Sequence, residues 1–168
     1  MNIVLIGLFG SGKSTLASVL ADKFGLKIIS SVQFCEYLDK HNHSYSRKGG
    51  DRPPFEFFDS FIKEYCGGKT GFVFDNIYTM DGMRAVNETC KIDRYFHLDI
   101  DQETARARTI ARGRDDVGEP FFQRRTQAFN ENIVLFKKLL GDKLVTLDAT
   151  LPMETLHAKV IDMCKSGR

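Results

Sequence analysis

A short apolar run, Asn2-Ile3-Val4-Leu5-Ile6, leads directly into Gly7-Leu8-Phe9-Gly10-Ser11-Gly12-Lys13-Ser14-Thr15. Glycine, four residues, then Gly-Lys-Ser between a strand and a helix is the spacing at which backbone amides wrap nucleotide phosphates. Glycines let the chain pass close to the phosphates. Lys13 brings a point charge to the β and γ phosphates, and the Ser14 hydroxyl suits Mg²⁺. The helix that follows points its N-terminal amides at the anion. The plain alternative is a glycine turn joining a strand to a helix. The apolar run before and the amphipathic run after favour the phosphate loop. Gly7, Gly10, Ser11, Gly12, Lys13, Ser14 and Thr15 are thus the expected nucleotide-binding residues.

The pattern downstream alternates strand with helix. Apolar periodicity predicts a helix over 14–24, stopped by Gly25, then a short strand over 26–29. A helix over 33–40 and a polar loop over 41–54 follow. Pro54 opens a helix through Phe55, Phe58, Phe61, Ile62 and Tyr65, which ends at Gly67-Gly68. Residues 71–74 read as a third strand ending in Asp75, and 81–91 as a helix. A fourth strand over 95–100 leads to Asp101, which caps a helix reaching Arg112. A long helix over 121–140, a strand over 143–147 and a helix over 152–164 complete the series. The expected fold is α/β, with three layers around an open, mostly parallel five-stranded sheet. Ligands in such sheets sit at the carboxyl ends of the strands. The phosphate loop, Asp75 and the segment after the fourth strand should therefore meet at one edge.

The length of 168 residues suits one domain, 1–168. A net charge of +2 names no partner, since a chain devoted to nucleic acid is usually more basic. Cys35, Cys66, Cys90 and Cys164 show no metal or redox spacing and read as reduced thiols. No apolar run approaches the roughly 18 residues of a membrane span. A first strand beginning at Asn2 leaves no room for a signal peptide. The expectation is a cytoplasmic protein with no membrane partner.

A second constellation lies after the fourth strand: Arg106, Arg108, Arg112-Gly113-Arg114-Asp115-Asp116, then Arg124-Arg125. A moving phosphoryl group spreads negative charge over its oxygens, and catalysis there is mostly positioning and charge stabilisation. Arginines on a short mobile loop can close over the phosphates and exclude water. A charge run alone is usually a solvated face. Beside a phosphate loop the functional reading prevails.

With these residues in view, the chain resembles the adenylate kinase-like, or nucleoside monophosphate kinase, family from Met1 to about Val160. The loop is similar, with Ser14 where the family commonly has glycine. Gly71 to Asp75, followed by Asn76-Ile77-Tyr78-Thr79, is similar to the family's Asp-Gly-Phe-Pro-Arg segment. The stretch from Arg108 to Arg124 resembles its lid, here short (112–120) and without room for a zinc insert. The resemblance implies an ATP-dependent kinase. Lys13, Arg108, Arg112, Arg114 and Arg124 would be its catalytic residues, and Ser14 and Asp75 would hold Mg²⁺.

The departures concern the acceptor. The family's AMP-binding members grip the acceptor phosphate with two arginines. Here those neighbourhoods read Ser30-Ser31-Val32-Gln33-Phe34-Cys35-Glu36-Tyr37 and Thr79, and the family's adenine-reading glutamine falls near Met83. Two charge-assisted contacts are worth about 1.5–3 kcal/mol each, so AMP held in the usual way is not expected. Gln33, Asp51, Arg52 and Arg84 are the candidate acceptor residues within and beside the segment 31–67. Arg47 and Lys48 could also contribute. The acceptor is expected to be a nucleotide or nucleotide-like molecule.

Two rivals remain open. A hydroxyl kinase acting on nucleic acid, or on a hydroxymethylated base in DNA, would use the polar loop with His41, His43, Arg47, Lys48 and Arg52 against a phosphate backbone. Its usual base at the end of the second strand is replaced by Ser30-Ser31, leaving Glu36, Asp39 and Asp51 as substitutes. A nucleotide switch or ATPase would need an acid beside Asp75, where Asn76 stands instead. His41 and His43 lack a third ligand at metal-binding spacing. Phe121, Phe122, Phe129 and Phe136 fall on or near one helical stripe and read as core. Part of the group Phe55, Phe57, Phe58 and Phe61 could line an acceptor pocket. Phe9 stands where the family often has proline.

Overall fold

Ile3, Val4, Leu5 and Ile6 are all fully buried. A strand covered on both faces has no polar side to present, which is why β1 (Asn2–Gly7) reads as an unbroken apolar run. The computed structural model describes residues 1–42, 55–75, 77–113 and 119–166. β1 is the middle strand of a sheet completed by β2 (Lys27–Ile29), β3 (Phe72–Asp75), β4 (Arg94–Asp99) and β5 (Leu144–Asp148). The order is β2-β3-β1-β4-β5, and every pairing is parallel. The helices are α1 (Lys13–Phe24), α2 (Ser31–Lys40), α3 (Phe55–Cys66), α4 (Met80–Thr89), α5 (Gln102–Ala111), α6 (Glu119–Leu140) and α7 (Met153–Lys165). The expected α/β architecture is present, with the sheet wholly rather than mostly parallel.

Local chemistry sets the ends of these helices. Asp101 Oδ1 accepts from the Thr104 amide at 2.8 Å and starts α5. Gly25, in the left-handed region at φ 66°, stops α1. α2 starts two residues earlier than its apolar spacing suggests, because Ser30 and Gln33 form a capping box. Thr79 Oγ1 accepts from the Gly82 amide at 3.1 Å and opens α4.

Register brings three segments to the carboxyl edge. Leu5 pairs with Asp75, and Gly7 pairs with Leu98. Asp75 therefore stands beside the root of the loop after β1, and the start of α5 lies on its other flank. The Ala149 amide donates to the Asp99 carbonyl oxygen at 2.8 Å, adding the end of β5 to the same edge. At the opposite edge Asn2 is fully buried. Its Oδ1 accepts from Gly71 and Phe72 at 3.0 and 3.1 Å, and its Nδ2 donates to the Lys91 carbonyl oxygen at 3.0 Å. One side chain thus ties β1, β3 and the approach to β4.

Phe61, Phe74, Phe96 and Phe136 are the largest fully buried side chains. Each contributes about 1.5–3 kcal/mol through burial. On α6 the inward stripe is Phe122, Phe129, Ile133, Phe136 and Leu140, all buried. The expected core role of Phe122, Phe129 and Phe136 is therefore observed, while the side chain of Phe121 lies outside the described set. No helix among the described residues is long and apolar enough to cross a membrane.

Candidate active site

The loop after β1 turns on two glycines whose conformations other residues rarely adopt. Gly10 has φ 80° and Gly12 has φ 93°. At Gly10 a Cβ would collide with the Ala105 carbonyl oxygen and lie 2.9 Å from Thr109 Oγ1. The loop is thereby seated directly on α5. Gly12 caps α1 with no side-chain hydrogen bond, and the first turn of α1 carries no acid. Its amides and the positive end of the helix dipole therefore suit an anion. Ser14 is exposed on that turn and Thr15 half-buried.

Lys13 is only 8% exposed. Its Nζ donates to the carbonyl oxygens of Gly7 and Leu8, each at 2.7 Å, and to Ser11 Oγ at 3.4 Å. Burial pushes its ammonium down to about 8, an effect opposed by the charge of Asp75 and reinforced by that of Arg125. Asp75 is 7% exposed, and its Oδ1 is buried with no hydrogen-bond partner among the described residues. An orphaned carboxylate oxygen at the root of a phosphate loop costs about 1–3 kcal/mol or more. It fits a site that takes up a cation or its bound water. Ser14 and Asp75, both oxygen donors, match the hard-ligand preference of Mg²⁺.

The arginines divide. Arg108 Nη1 donates to the Ala149 carbonyl oxygen at 2.7 Å, which holds it against the end of β5. Arg112 is exposed at the end of α5. Arg114 lies outside the described residues, as does most of the segment 112–120. Arg124 is exposed, and its Nε donates to the Pro120 carbonyl oxygen one turn back at 3.2 Å. The arginine brought to the loop is its neighbour. Arg125 is half-buried, with its Cζ 4.7 Å from the Phe9 ring centroid and 5.3 Å from that of Tyr78. The spacing of α6 contained the clue. Arg125 follows Phe122 by three and precedes Phe129 by four, so it shares the inward face, whereas Arg124 does not. Phe9 and Tyr78 also join the site, as partners of Arg125.

On the acceptor side, Gln33 Oε1 accepts from the Ser30 amide at 3.0 Å and from Ser30 Oγ at 2.6 Å. Its carboxamide oxygen is engaged in capping α2. Phe34 and Phe58 meet edge to face with centroids 5.2 Å apart, and Phe58 lies against Gly82 at the start of α4. Phe61 is in the core. Arg84 is exposed on α4, 3.9 Å from Asp81. Asp51 and Arg52, with His43, Arg47 and Lys48, fall outside the described residues. Among the described residues no group of three His, Cys, Asp or Glu is placed to hold a metal. His97 on β4 is buried, and burial pushes its imidazole down to about 4, so it is neutral near pH 7.

The chain is similar over its whole length to known proteins. The adenylate kinase of Rhodococcus erythropolis is 23% identical, covering 96% of this chain and 97% of the relative. That of Mycolicibacterium paratuberculosis is 23% identical, with both chains covered completely. The adenylate kinase of Ureaplasma parvum is 29% identical over 67% of this chain and 58% of its own. Among solved structures, deoxyadenosine kinase from M. mycoides, with the products dCMP and dCDP bound, covers 100% of both chains at a TM-score of 0.64 and 18% identity. That likeness reports the fold. The AAA domain family AAA_17 matches residues 6–120, which include the phosphate loop, Asp75 and α5. The match spans more than half of the chain, and the protein belongs to that family.

Proposed function

We propose that the protein is an ATP- and Mg²⁺-dependent kinase that moves the γ-phosphoryl group of ATP to a nucleotide or nucleotide-like acceptor. The observation that carries this reading is the convergence of Lys13, Asp75 and Arg125 on one phosphate loop. Backbone amides of residues 7–15 cradle the triphosphate. Lys13 leaves the carbonyl oxygens of Gly7 and Leu8 and turns to the β and γ phosphates. Ser14 and Asp75 would hold Mg²⁺, which when bound neutralises charge on the phosphate oxygens. An acceptor oxygen attacks the γ phosphorus, the bond to the β–γ bridging oxygen breaks, and ADP leaves. Arg125 meets the charge that develops on the transferred group. Arg108, Arg112 and Arg114 serve the donor side, with Arg112 and Arg114 closing over it as a lid. The acceptor lies against α2, α3 and the start of α4, near Phe34, Phe58 and Thr79.

The adenylate kinase relatives support a nucleotide acceptor. The deoxyadenosine kinase likeness favours, as a second reading, the hydroxyl of a deoxynucleoside. Incubation with γ-labelled ATP, Mg²⁺ and a panel of acceptors separates the readings. The panel comprises nucleoside monophosphates, deoxynucleosides, single-stranded DNA and hydroxymethylated DNA. Label in a monophosphate supports the first reading and label in a deoxynucleoside the second. Label in polymer overturns both. Release of inorganic phosphate alone, whatever is added, makes the protein an ATPase.

A further inference from the structure

Phe9, Tyr78 and Arg125 come from three separate parts of the chain: the phosphate loop, the segment between β3 and α4, and α6. All three are half-buried. The guanidinium carbon lies 4.7 Å from one ring centroid and 5.3 Å from the other, inside the roughly 6 Å range of cation–π attraction. A free arginine side chain carries rotamer entropy, part of which it must give up when it engages a phosphate. Contact with two rings restricts that freedom before any ligand arrives. Cation–π attraction engages the charge of the guanidinium with the ring faces, and the planar group carries five N–H donors in a fixed fork. An arginine held in this way can stay on its aromatic support and still present its donors to phosphate oxygens. Asp75 stands three residues before Tyr78 and Lys13 four residues after Phe9, and the charges of both Asp75 and Arg125 act on Lys13.

The geometry points to Phe9 and Tyr78 as positioning residues that hold the Arg125 guanidinium at the mouth of the phosphate loop for phosphoryl transfer. This inference rests on the kinase reading. The lowered proton affinity of Lys13, to which the charge of Arg125 contributes, agrees with such placement. Because Tyr78 leads into α4, the support also joins the donor side to the acceptor side.

The test compares Phe9→Leu and Tyr78→Leu with the ring-preserving Phe9→Tyr and Tyr78→Phe. Each leucine variant is expected to lower kcat by about 3- to 30-fold, the range that cation–π energies span. The KM for ATP should move less than about twofold, because the loop amides and Lys13 still hold the ground state. Each ring-preserving variant should retain more of kcat than its leucine counterpart, because the ring face under the guanidinium remains. In an Arg125→Ala background the leucine changes should add nothing further. An equal loss in that background, or an equal loss in the ring-preserving variants, overturns the inference. A second measurement does not depend on turnover. The side-chain Nε–H and Cδ protons of Arg125 should be shifted upfield by ring currents in the ligand-free protein, and each leucine variant should remove part of that shift. Unshifted resonances in the wild type overturn the positioning role, however active the protein is. Shifted resonances in a protein that transfers no label overturn the kinase reading alone.

Discussion

Lys13 Nζ and the carbonyl oxygen of Gly7 lie 2.7 Å apart, so the loop's own backbone satisfies the cation. A nucleotide must draw that ammonium outward from the carbonyl oxygens of Gly7 and Leu8. On the kinase reading, replacing it removes the charge that would follow the β and γ phosphates into the transition state. Lys13→Ala is expected to keep the fold and lower kcat by about two to three orders of magnitude. Circular dichroism and a steady-state assay check both halves. Turnover near wild type would refute the role of Lys13.

On the kinase reading, the same lysine should make nucleotide binding depend on pH. Burial lowers its ammonium from 10.5 to about 8 in the folded protein. Between these values the unfolded chain binds the proton and the folded chain does not. The Lys13 contribution to stability therefore rises with pH from about 8 toward 10.5. The difference in unfolding free energy between wild type and Lys13→Met should show this rise. Phosphate binding favours the charged form, so ATP affinity should fall above pH 8. Near that pH, binding should take up protons, which calorimetry in buffers of different ionisation enthalpy detects. Zero proton uptake would contradict the assignment.

Arg124 and Arg125 should behave oppositely. Arg125 meets the aromatic rings of Phe9 and Tyr78, whereas Arg124 bonds back to its own helix. Arg125→Ala should lower kcat by about 10²-fold or more with a small change in the KM for ATP. Arg124→Ala should stay within about threefold on kcat, since exposed charges of this kind contribute little. A larger loss from Arg124→Ala than from Arg125→Ala would reverse the assignment.

Gly10→Ala tests the seat of the loop on α5. The added Cβ meets the Ala105 carbonyl oxygen in a left-handed backbone conformation. Strain of this kind costs about 1–3 kcal/mol. Chemical denaturation should show the loss, and ATP binding should weaken with it because the loop must shift. Unchanged stability together with unchanged binding would mean that the loop is not held there.

Asn2→Ala separates stability from chemistry. It removes the acceptor shared by Gly71 and Phe72 and the donor to Lys91. Leaving buried polar groups unmatched costs about 1–3 kcal/mol each. The melting temperature should fall by about 2–4 °C per kcal/mol, with the KM for ATP unchanged. A shifted KM would link this far edge to the site.

The parts of the molecule written in local chemistry were legible in the sequence. The apolar run of β1, the Asp101 cap of α5 and the glycine stop of α1 each depend on residues a few positions apart. The loop from Gly7 to Thr15 is legible for the same reason, since it is built from consecutive residues that join β1 to α1. The start of α2 was less so, because Gln33 had two uses open to it. Its carboxamide oxygen is engaged with Ser30, a use the acceptor reading did not anticipate.

The sequence by itself determined the order of strands and helices, the phosphate loop and the presence of arginines after β4. Those features follow from periodicity, capping and spacing, which act within a few residues. Only the tertiary structure decided that Arg125 rather than Arg124 faces the loop, that Asp75 Oδ1 has no partner among the described residues, and that the Arg125 guanidinium lies over the rings of both Phe9 and Tyr78. One residue along a helix turns a side chain by about 100°. The strand that places Asp75 beside Leu5 pairs across 70 residues of chain, a choice made by packing and not by neighbours in sequence.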